Sequence, residues 1–296
     1  MLAIKSFAKL NLYLQVLNKR KDNFHNLKTL FCRIDLADTL IFRARKDRLI
    51  KIKCIRQNIP KNKTNLCWRA AKLLQQEFGL NLGVEIEIKK HIPVGAGLGG
   101  GSSNAAGTLL GLNKYWKLNL SQNKLAELGA KLGSDVPFFI YNTKFALGSG
   151  RGDKIRPLVS LKKLKLWFIL VYPNLAVSTP LIYRKFDDCL LAGSHFSQLT
   201  RPKYNVKILT SELLKKGNAI DTAYLFNSLE VVTASIYPVV NQVKKALYGK
   251  GLEKIIMSGS GPTVFAVCKS RIQAQNLSKK LRKSHKSWQI FTNSAI

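Results

Sequence analysis

Acidic residues are scarce in this chain of 296: 16 Asp and Glu stand against 49 Lys and Arg, a formal charge of +33, and none follows Glu253. Cysteine is sparse too. The five at 32, 54, 67, 189 and 268 include no C-x-x-C pair, the spacing that a disulfide framework or zinc site would need. Four histidines, at 25, 91, 195 and 285, form no H-x-x-x-H pair or Cys/His cluster. Reduced thiols packed in apolar sites are the expectation. No apolar run reaches the ~20 residues of a spanning helix; the most apolar, Leu164 to Pro173, contains Lys165. Lys5 and Lys9 interrupt the first apolar run, which argues against a signal peptide. Low-complexity tracts and internal repeats are absent, which excludes disorder as the main state.

Absent motifs narrow the function. No Gly-Lys-Ser/Thr occurs, which excludes a Walker P-loop, and no H-R-D or D-F-G, which excludes a eukaryotic-type protein kinase. Gly95, Gly97 and Gly100 satisfy G-x-G-x-x-G, but a dinucleotide fold also wants an acid about 20 positions on, and Ala105 to Lys124 has none. The basic excess suits a polyanion such as nucleic acid, anionic lipid or a phosphorylated substrate. Its spread along the chain favours a solvated basic surface without a dedicated nucleic-acid partner.

With 46% apolar residues the chain can build two cores. Strict alternation from Phe7 to Val16 predicts a strand with Ala8, Leu10, Leu12, Leu14 and Val16 on a core face and Lys9, Asn11, Tyr13 and Gln15 on the other. Further strands are predicted at Leu30–Asp35, Thr39–Arg45, Leu49–Cys54, Val84–Lys89, Trp167–Tyr172, Lys254–Met257 and Val264–Cys268. Helices are predicted at Asn65–Phe78, Ser102–Tyr115, Ser121–Leu132 with Ser121 as cap, Ala234–Gly249, and a basic segment ending near Lys283. Gly148 to Asp153 reads as a hairpin turn, and the lysine-rich stretch after it marks a boundary near residue 160, dividing the chain into 1–159 and 160–296. Strands and helices in both halves mean α/β or α+β.

The strongest signal is Pro93-Val94-Gly95-Ala96-Gly97-Leu98-Gly99-Gly100-Gly101-Ser102-Ser103-Asn104-Ala105-Ala106, after a strand and opening a helix. Glycines let backbone approach a ligand, and a helix start offers unpaired N–H groups and a positive dipole end, so the segment is a ready anion site. This run resembles the second motif of the GHMP small-molecule kinases. Phe7-Ala8-Lys9-Leu10-Asn11-Leu12 resembles their first, and Ile256-Met257-Ser258-Gly259-Ser260-Gly261-Pro262-Thr263-Val264-Phe265 their last, in the family's order and across most of the chain. Phe24-His25-Asn26-Leu27 and Leu132-Gly133-Ser134-Asp135-Val136-Pro137-Phe138-Phe139 point within the family to the branch whose substrate is a cytidine diphosphate ester of a methylated tetritol.

The resemblance implies an α+β, two-domain kinase: an N-terminal α/β ATP-binding domain and a C-terminal ferredoxin-like domain. It implies ATP with magnesium and transfer of the γ-phosphate to an alcohol; a monomer or weak dimer is expected, and the want of a transit segment ahead of Phe7 and of a long apolar run favours a bacterial cytoplasmic enzyme without membrane attachment. Asp135 would accept the hydroxyl proton; taken alone it reads more readily as a turn aspartate between Gly133 and Pro137, and Lys9 with the glycine loop reverses that. Lys9 would stabilise charge on the transferring phosphoryl group. Residues 93–103 would hold ATP, with Ser103 offering a hydroxyl to the metal, and Asn65 would contact the nucleotide or simply cap its helix. Asn11 is assigned to substrate hydroxyls, His25 to the cytosine edge, and Phe24 and Tyr183 to stacking on the base. Phe24 departs from the family's usual tyrosine, and Ala96 from a usual glycine, tolerable if its φ is negative. A homoserine- or mevalonate-type kinase of the same family is the nearest rival, and an RNA-binding protein the rival from another class.

Overall fold

The computed structural model describes residues 1–191, 200–216 and 221–296, so His195 lies outside the described residues. In chain order the elements are β1 Leu2–Lys19, β2 His25–Arg45, β3 Ile50–Lys53, α1 Leu66–Glu77, β4 Gly83–Lys89, α2 Gly100–Tyr115, α3 Gln122–Leu132, α4 Val136–Ile140, β5 Phe145–Ser149, β6 Lys154–Pro157 and β7 Trp167–Tyr172. They continue with α5 Thr179–Leu191, α6 Val206–Lys216, β8 Phe226–Asn227, α7 Glu230–Ile236, α8 Val239–Tyr248, β9 Ile255–Met257, β10 Val264–Cys268, α9 Arg271–Ser284 and β11 Gln289–Ser294.

Two sheets organise the described residues. The first runs β3-β4-β2-β1-β8, with β5 and β6 added beside β2. Strand β2 is one 21-residue strand where the sequence pattern suggests two. Its later half pairs with β4 and its earlier half with β5. The pairing with β1 slips between Phe7 and Ala8, opposite Asp35 and Leu36, and this irregularity breaks the alternation without ending the strand. The second sheet has the order β11-β7-β10-β9, all antiparallel. Numbered within that sheet the order is 4-1-3-2, with helices between its first and second and its third and fourth strands, the ferredoxin-like arrangement. The fold is α+β, as expected.

Four layers follow from where the apolar residues point. Leu40, Phe42, Val84 and Ile86 of the first sheet pack beneath α1, α2 and α3. Helix α2 comes close because Gly111 has no side chain; a Cβ there would lie 2.6 Å from the Phe42 ring. The opposite face, through Leu10, Leu12, Tyr13 and Leu30, meets Phe168, Leu170 and Phe265 of the second sheet. The alternate residues of β7 and β10, Ile169, Val171, Val264 and Ala266, pack under α5, α8 and α9. Burial on both faces explains why β7 reads as an unbroken apolar run.

Several expectations hold and some are corrected. Ser121 caps α3 by accepting from the Lys124 N–H at 3.2 Å, and Gly150–Asp153 links β5 to β6. The predicted helix Ala234–Gly249 is two helices, α7 and α8. Tyr237 is extended (φ −122°, ψ 84°) and Pro238 supplies no N–H to carry the first helix onward. The alternation of β1 fails after Asn11. Leu12 is an extra residue in the pairing with β2, and Asn11 faces Phe31 while Tyr13 faces Leu30. A one-residue slip exchanges the faces. Tyr13 therefore joins Leu10 and Leu12 in the core between the sheets, and Leu14 turns to the side of Lys9 and Asn11.

Candidate active site

An open cleft of about 910 Å³ is lined by residues of β1 and β2, by all three motifs and by the first turns of α1 and α5. That volume is near the upper end for a single small-molecule pocket.

At one end is the loop between β4 and α2. The carbonyls of Val94 to Gly99 are all engaged within the protein. Val94 O accepts from the Tyr172 hydroxyl at 3.1 Å and Gly97 O from the Ser258 hydroxyl at 3.0 Å. Gly95, Ala96 and Leu98 carbonyls accept from Val177, Thr263 and Lys9 N–H groups at 3.0, 3.4 and 3.0 Å. The N–H groups of Gly95 and of Gly97 to Ser102 donate to none of the described residues, while Ala96 closes the turn that begins at Pro93. The loop thus presents a row of donors that continues into the first turn of α2, the arrangement that binds phosphate. Positive φ at Gly95, Gly97 and Gly99 makes the row possible. Gly97 is the tightest: a Cβ there would sit 2.1 Å from Ser258 O, so the third glycine motif is the surface on which the second one rests. Ala96 has no positive φ, and its methyl is buried in the core.

Asp38 anchors the entry to this loop. Fully buried, it accepts from the N–H groups of His91 and Ile92 at 2.7 and 2.8 Å, from Asn104 at 2.9 Å, and from Lys90. Burial lowers the Lys90 ammonium from its ordinary value, although Asp38 works against the shift.

Of the expected ATP residues, Ser103 is placed differently, and Asn65 takes the capping role that was its alternative. Ser103 does not line the cleft. Its hydroxyl is buried and 2.7 Å from that of Ser6, and its N–H donates to Gly99 O at 2.8 Å. Ser102 does line the cleft, beside Gly133, whose added Cβ would come 3.8 Å from its hydroxyl. Helical periodicity explains the swap, because adjacent residues point about 100° apart. Asn65 lines the cleft, but both ends of its amide are engaged: Oδ1 accepts from Cys67 N–H at 2.8 Å and Nδ2 donates to Pro60 O at 2.6 Å. It is the cap of α1.

Beside the loop, Lys9 and Asp135 meet at 3.3 Å. Lys9 is 4% exposed and its Nζ also donates to Asn11 Oδ1 at 2.5 Å. Asn11 in turn donates to the Thr29 hydroxyl at 2.8 Å, so it fixes the ammonium from below. Asp135 opens α4 but makes no capping hydrogen bond, and its side chain is 31% exposed to the cleft. The plain turn-aspartate alternative would have used that carboxylate on the backbone; here it is turned to Lys9.

The far end is made of side chains. His25 is buried, with Nε2 2.6 Å from Asp187 Oδ1, its face on Tyr183 at 5.3 Å and 26°, and its edge toward Phe186. Burial raises the Asp187 carboxyl, but hydrogen bonds from Lys19, at 2.7 Å, and His25 outweigh it and hold the group below its ordinary value. Burial, reinforced by the Asp135 carboxylate, pushes the Tyr183 phenol well up. Phe24 is 49% exposed on the rim, with the Arg151 guanidinium 5.0 Å over its ring; Asp153 grips that guanidinium at 2.9 and 3.1 Å. Tyr183 is therefore no free-standing platform, since His25 already covers one face.

Asp187 and Arg151 are absent from the expectations drawn from the sequence. Tyr183-x-x-x-Asp187 is a one-turn spacing on α5 that could have flagged the first. Nothing local marks Arg151, which lies in a turn recognised only as a turn. No group of three or more His, Cys, Asp or Glu able to hold a metal exists among the described residues, and no described helix is long and apolar enough to cross a membrane.

Comparison with known proteins is consistent along the chain. The GHMP kinases N terminal domain model matches residues 65–143 and the GHMP kinases C terminal model residues 206–287. A protein of Geobacillus sp. (strain WCH70) named 4-diphosphocytidyl-2-C-methyl-D-erythritol kinase is 40% identical over 283 residues, 95% of this chain and 93% of that one. One of the same name from Syntrophus aciditrophicus (strain SB) is 39% identical over 291 residues, 98% of each. A crystal structure of 4-(cytidine 5'-diphospho)-2C-methyl-D-erythritol kinase superposes with a TM-score of 0.78 at 29% identity, covering 99% of this chain and 98% of that one.

Proposed function

The chain belongs to the GHMP kinase family, and from that premise we propose that it transfers the γ-phosphoryl group of ATP to the 2-hydroxyl of 4-diphosphocytidyl-2-C-methyl-D-erythritol, in the non-mevalonate route to isoprenoid precursors. One observation carries the reading: a single cleft joins a row of phosphate-directed N–H groups, a Lys9–Asp135 pair at 3.3 Å and an aromatic-histidine pocket. A small unadorned alcohol would leave the last of these without a use.

In the proposed reaction the N–H groups of Gly95 and of 97–102 hold the ATP phosphates. Asp135 takes the proton of the 2-hydroxyl as that oxygen bonds to the γ-phosphorus. The bond from that phosphorus to the β–γ bridging oxygen breaks, releasing ADP. Lys9 places positive charge beside the transferring group, and Asn11 and Thr29 keep it there. Tyr183, Phe24 and His25 take the cytosine, with Arg151 behind Phe24. Asn11 serves the substrate through Lys9, since its carbonyl is already taken.

Magnesium suits the donor set. A hard cation that keeps its waters needs few protein oxygens, and the Ser102 hydroxyl lines the cleft beside the loop. Bound there with ATP it would neutralise phosphate charge. The proposal further takes residues 1–159 as the catalytic domain and 160–296 as the second, and the enzyme as a bacterial cytoplasmic monomer or weak dimer. Five free cysteines, four of them buried, suit a reducing compartment.

ADP release from magnesium-ATP with the cytidine substrate, measured beside Asp135→Asn, tests the reading. Turnover that needs this substrate and collapses in the variant is the expected result. Turnover only on homoserine or mevalonate, or salt-sensitive RNA binding without turnover, would replace it.

A further inference from the structure

His25 is held from three directions at once: Tyr183 on its face, Phe186 at its edge and Asp187 at Nε2. The Asp187 oxygen 2.6 Å from Nε2 belongs to a carboxylate whose other oxygen receives Lys19 at 2.7 Å. A carboxylate paired in this way only accepts, so the hydrogen between the two groups belongs to the imidazole. In a neutral ring one nitrogen donates and the other carries a lone pair. With Nε2 donating, Nδ1 is the acceptor, and it has no protein partner among the described residues.

We propose that Asp187 is a positioning residue that makes the base end of the cleft select an amino-pyrimidine, by fixing His25 in the tautomer whose Nδ1 can only accept. The inference rests on the kinase reading above, since it concerns which base that site takes. Cytosine and uracil have the same size and the same stacking face. They differ along one edge: the first has an exocyclic amino donor beside a ring nitrogen that accepts, the second a carbonyl acceptor beside a ring N–H that donates, and the exocyclic position is the one His25 Nδ1 is proposed to read. A lone pair at Nδ1 bonds the amino group and opposes the carbonyl, so discrimination comes from the proton that Asp187 holds on the far nitrogen. Neither Tyr183 nor Phe24 can supply it, because every base has a stacking face. Lys19 contributes by keeping the second carboxylate oxygen occupied.

The test compares kcat/KM for the cytidine substrate and its uridine counterpart in wild type, Asp187→Asn and Asp187→Glu, together with nitrogen-15 shifts of His25. In Asp187→Asn, Lys19 retains the amide oxygen and the amide NH₂ turns to Nε2, which drives the ring proton to Nδ1. The cytidine-to-uridine ratio should fall about ten- to hundredfold, the size of one reversed hydrogen bond, and the loss should lie in KM rather than kcat. Asp187→Glu should recover most of the ratio. Wild-type shifts should report Nε2–H, and Asp187→Asn shifts Nδ1–H. An unchanged ratio in a folded Asp187→Asn enzyme that still turns over, or a wild-type ring protonated at Nδ1, overturns the inference and leaves the kinase standing. Wild-type enzyme inactive on both esters sinks the kinase reading and this inference with it.

Discussion

At the phosphate end the cleft is built of backbone, the N–H groups of Gly95 and of Gly97 to Ser102, with the carbonyls of Val94 to Gly99 all engaged within the protein. At the base end it is built of side chains, His25, Tyr183 and Phe24, each steadied by another side chain: Asp187 for the first two through the imidazole, and Arg151 with Asp153 for the third. The difference follows from the ligands. A phosphate is a compact charge of high symmetry that any inward donor satisfies, so geometry is the whole demand. A base must be told from another of the same shape, which requires a particular atom to be donor or acceptor. With only 16 acidic residues to place, the chain puts two of them, Asp153 and Asp187, behind its base-reading groups.

Substitutions should separate the two ends. The largest effect is expected between them, at Asp135→Asn: kcat falls about 10²- to 10⁴-fold while ATP affinity and melting temperature hold, because that side chain caps nothing. Steady-state rates beside a nucleotide titration check this. At the phosphate end Gly97→Ala should lose ATP binding and stability together. Its φ of +75° costs about 1–3 kcal/mol in a non-glycine residue, and its Cβ would collide with Ser258 O at 2.1 Å. Gly101→Ala, four positions on, has only Leu66 at 3.5 Å and normal helical backbone. It should melt at the wild-type temperature or slightly above, since alanine favours a helix by about 1 kcal/mol. If both variants melted alike, the loop would not be as rigidly seated as its contacts indicate.

At the base end the expected changes are smaller and leave the fold alone. Phe24→Ala removes an exposed ring, and should raise KM for the cytidine substrate about tenfold, a low value for one lost stacking contact of ~1–3 kcal/mol, with no change in melting. Unchanged KM would remove Phe24 from the site. The smallest effect concerns pH. Asp187 has a lowered carboxyl in the folded protein, so its ion pairs add stability that is fully present above the unfolded value, ~3.9, and is lost as pH falls through the lower folded one. Acid unfolding of Asp187→Asn should lack that slope while matching wild type near neutrality in shape.

Local chemistry was legible in the sequence where it depends on neighbours. The glycine loop needs positive φ and a following helix within a dozen residues, and that signal is contiguous. Lys9 and Asn11 share a face because they are two apart on a strand, and both line the cleft. Beyond Asn11 the same rule fails, since an extra residue at Leu12 moves Tyr13 and Leu14 to exchanged faces, and nothing in the alternating pattern marks where a strand will bulge. Pro238 was a readable stop that apolar periodicity overrode, and the two helices it separates show which signal governs backbone. Ser102 and Ser103 are indistinguishable by type, and only the direction of α2 decides that one meets the cleft and the other meets Ser6.

What the chain's sequence determined by itself is the composition of the two ends: a run of residues that must offer backbone to an anion, and a set of aromatic and polar side chains suited to a base. Pairing was left to the tertiary structure. Lys9 meets Asp135 beside the loop, Ser258 lies under Gly97, and His25 finds Asp187 from 162 positions away. The reason is physical. A backbone donor row is a local conformational property, set by φ and by the helix that follows. The placement of a proton on His25 is a property of two groups at 2.6 Å, and only the packing of α5 against β1 and β2 brings them to that distance.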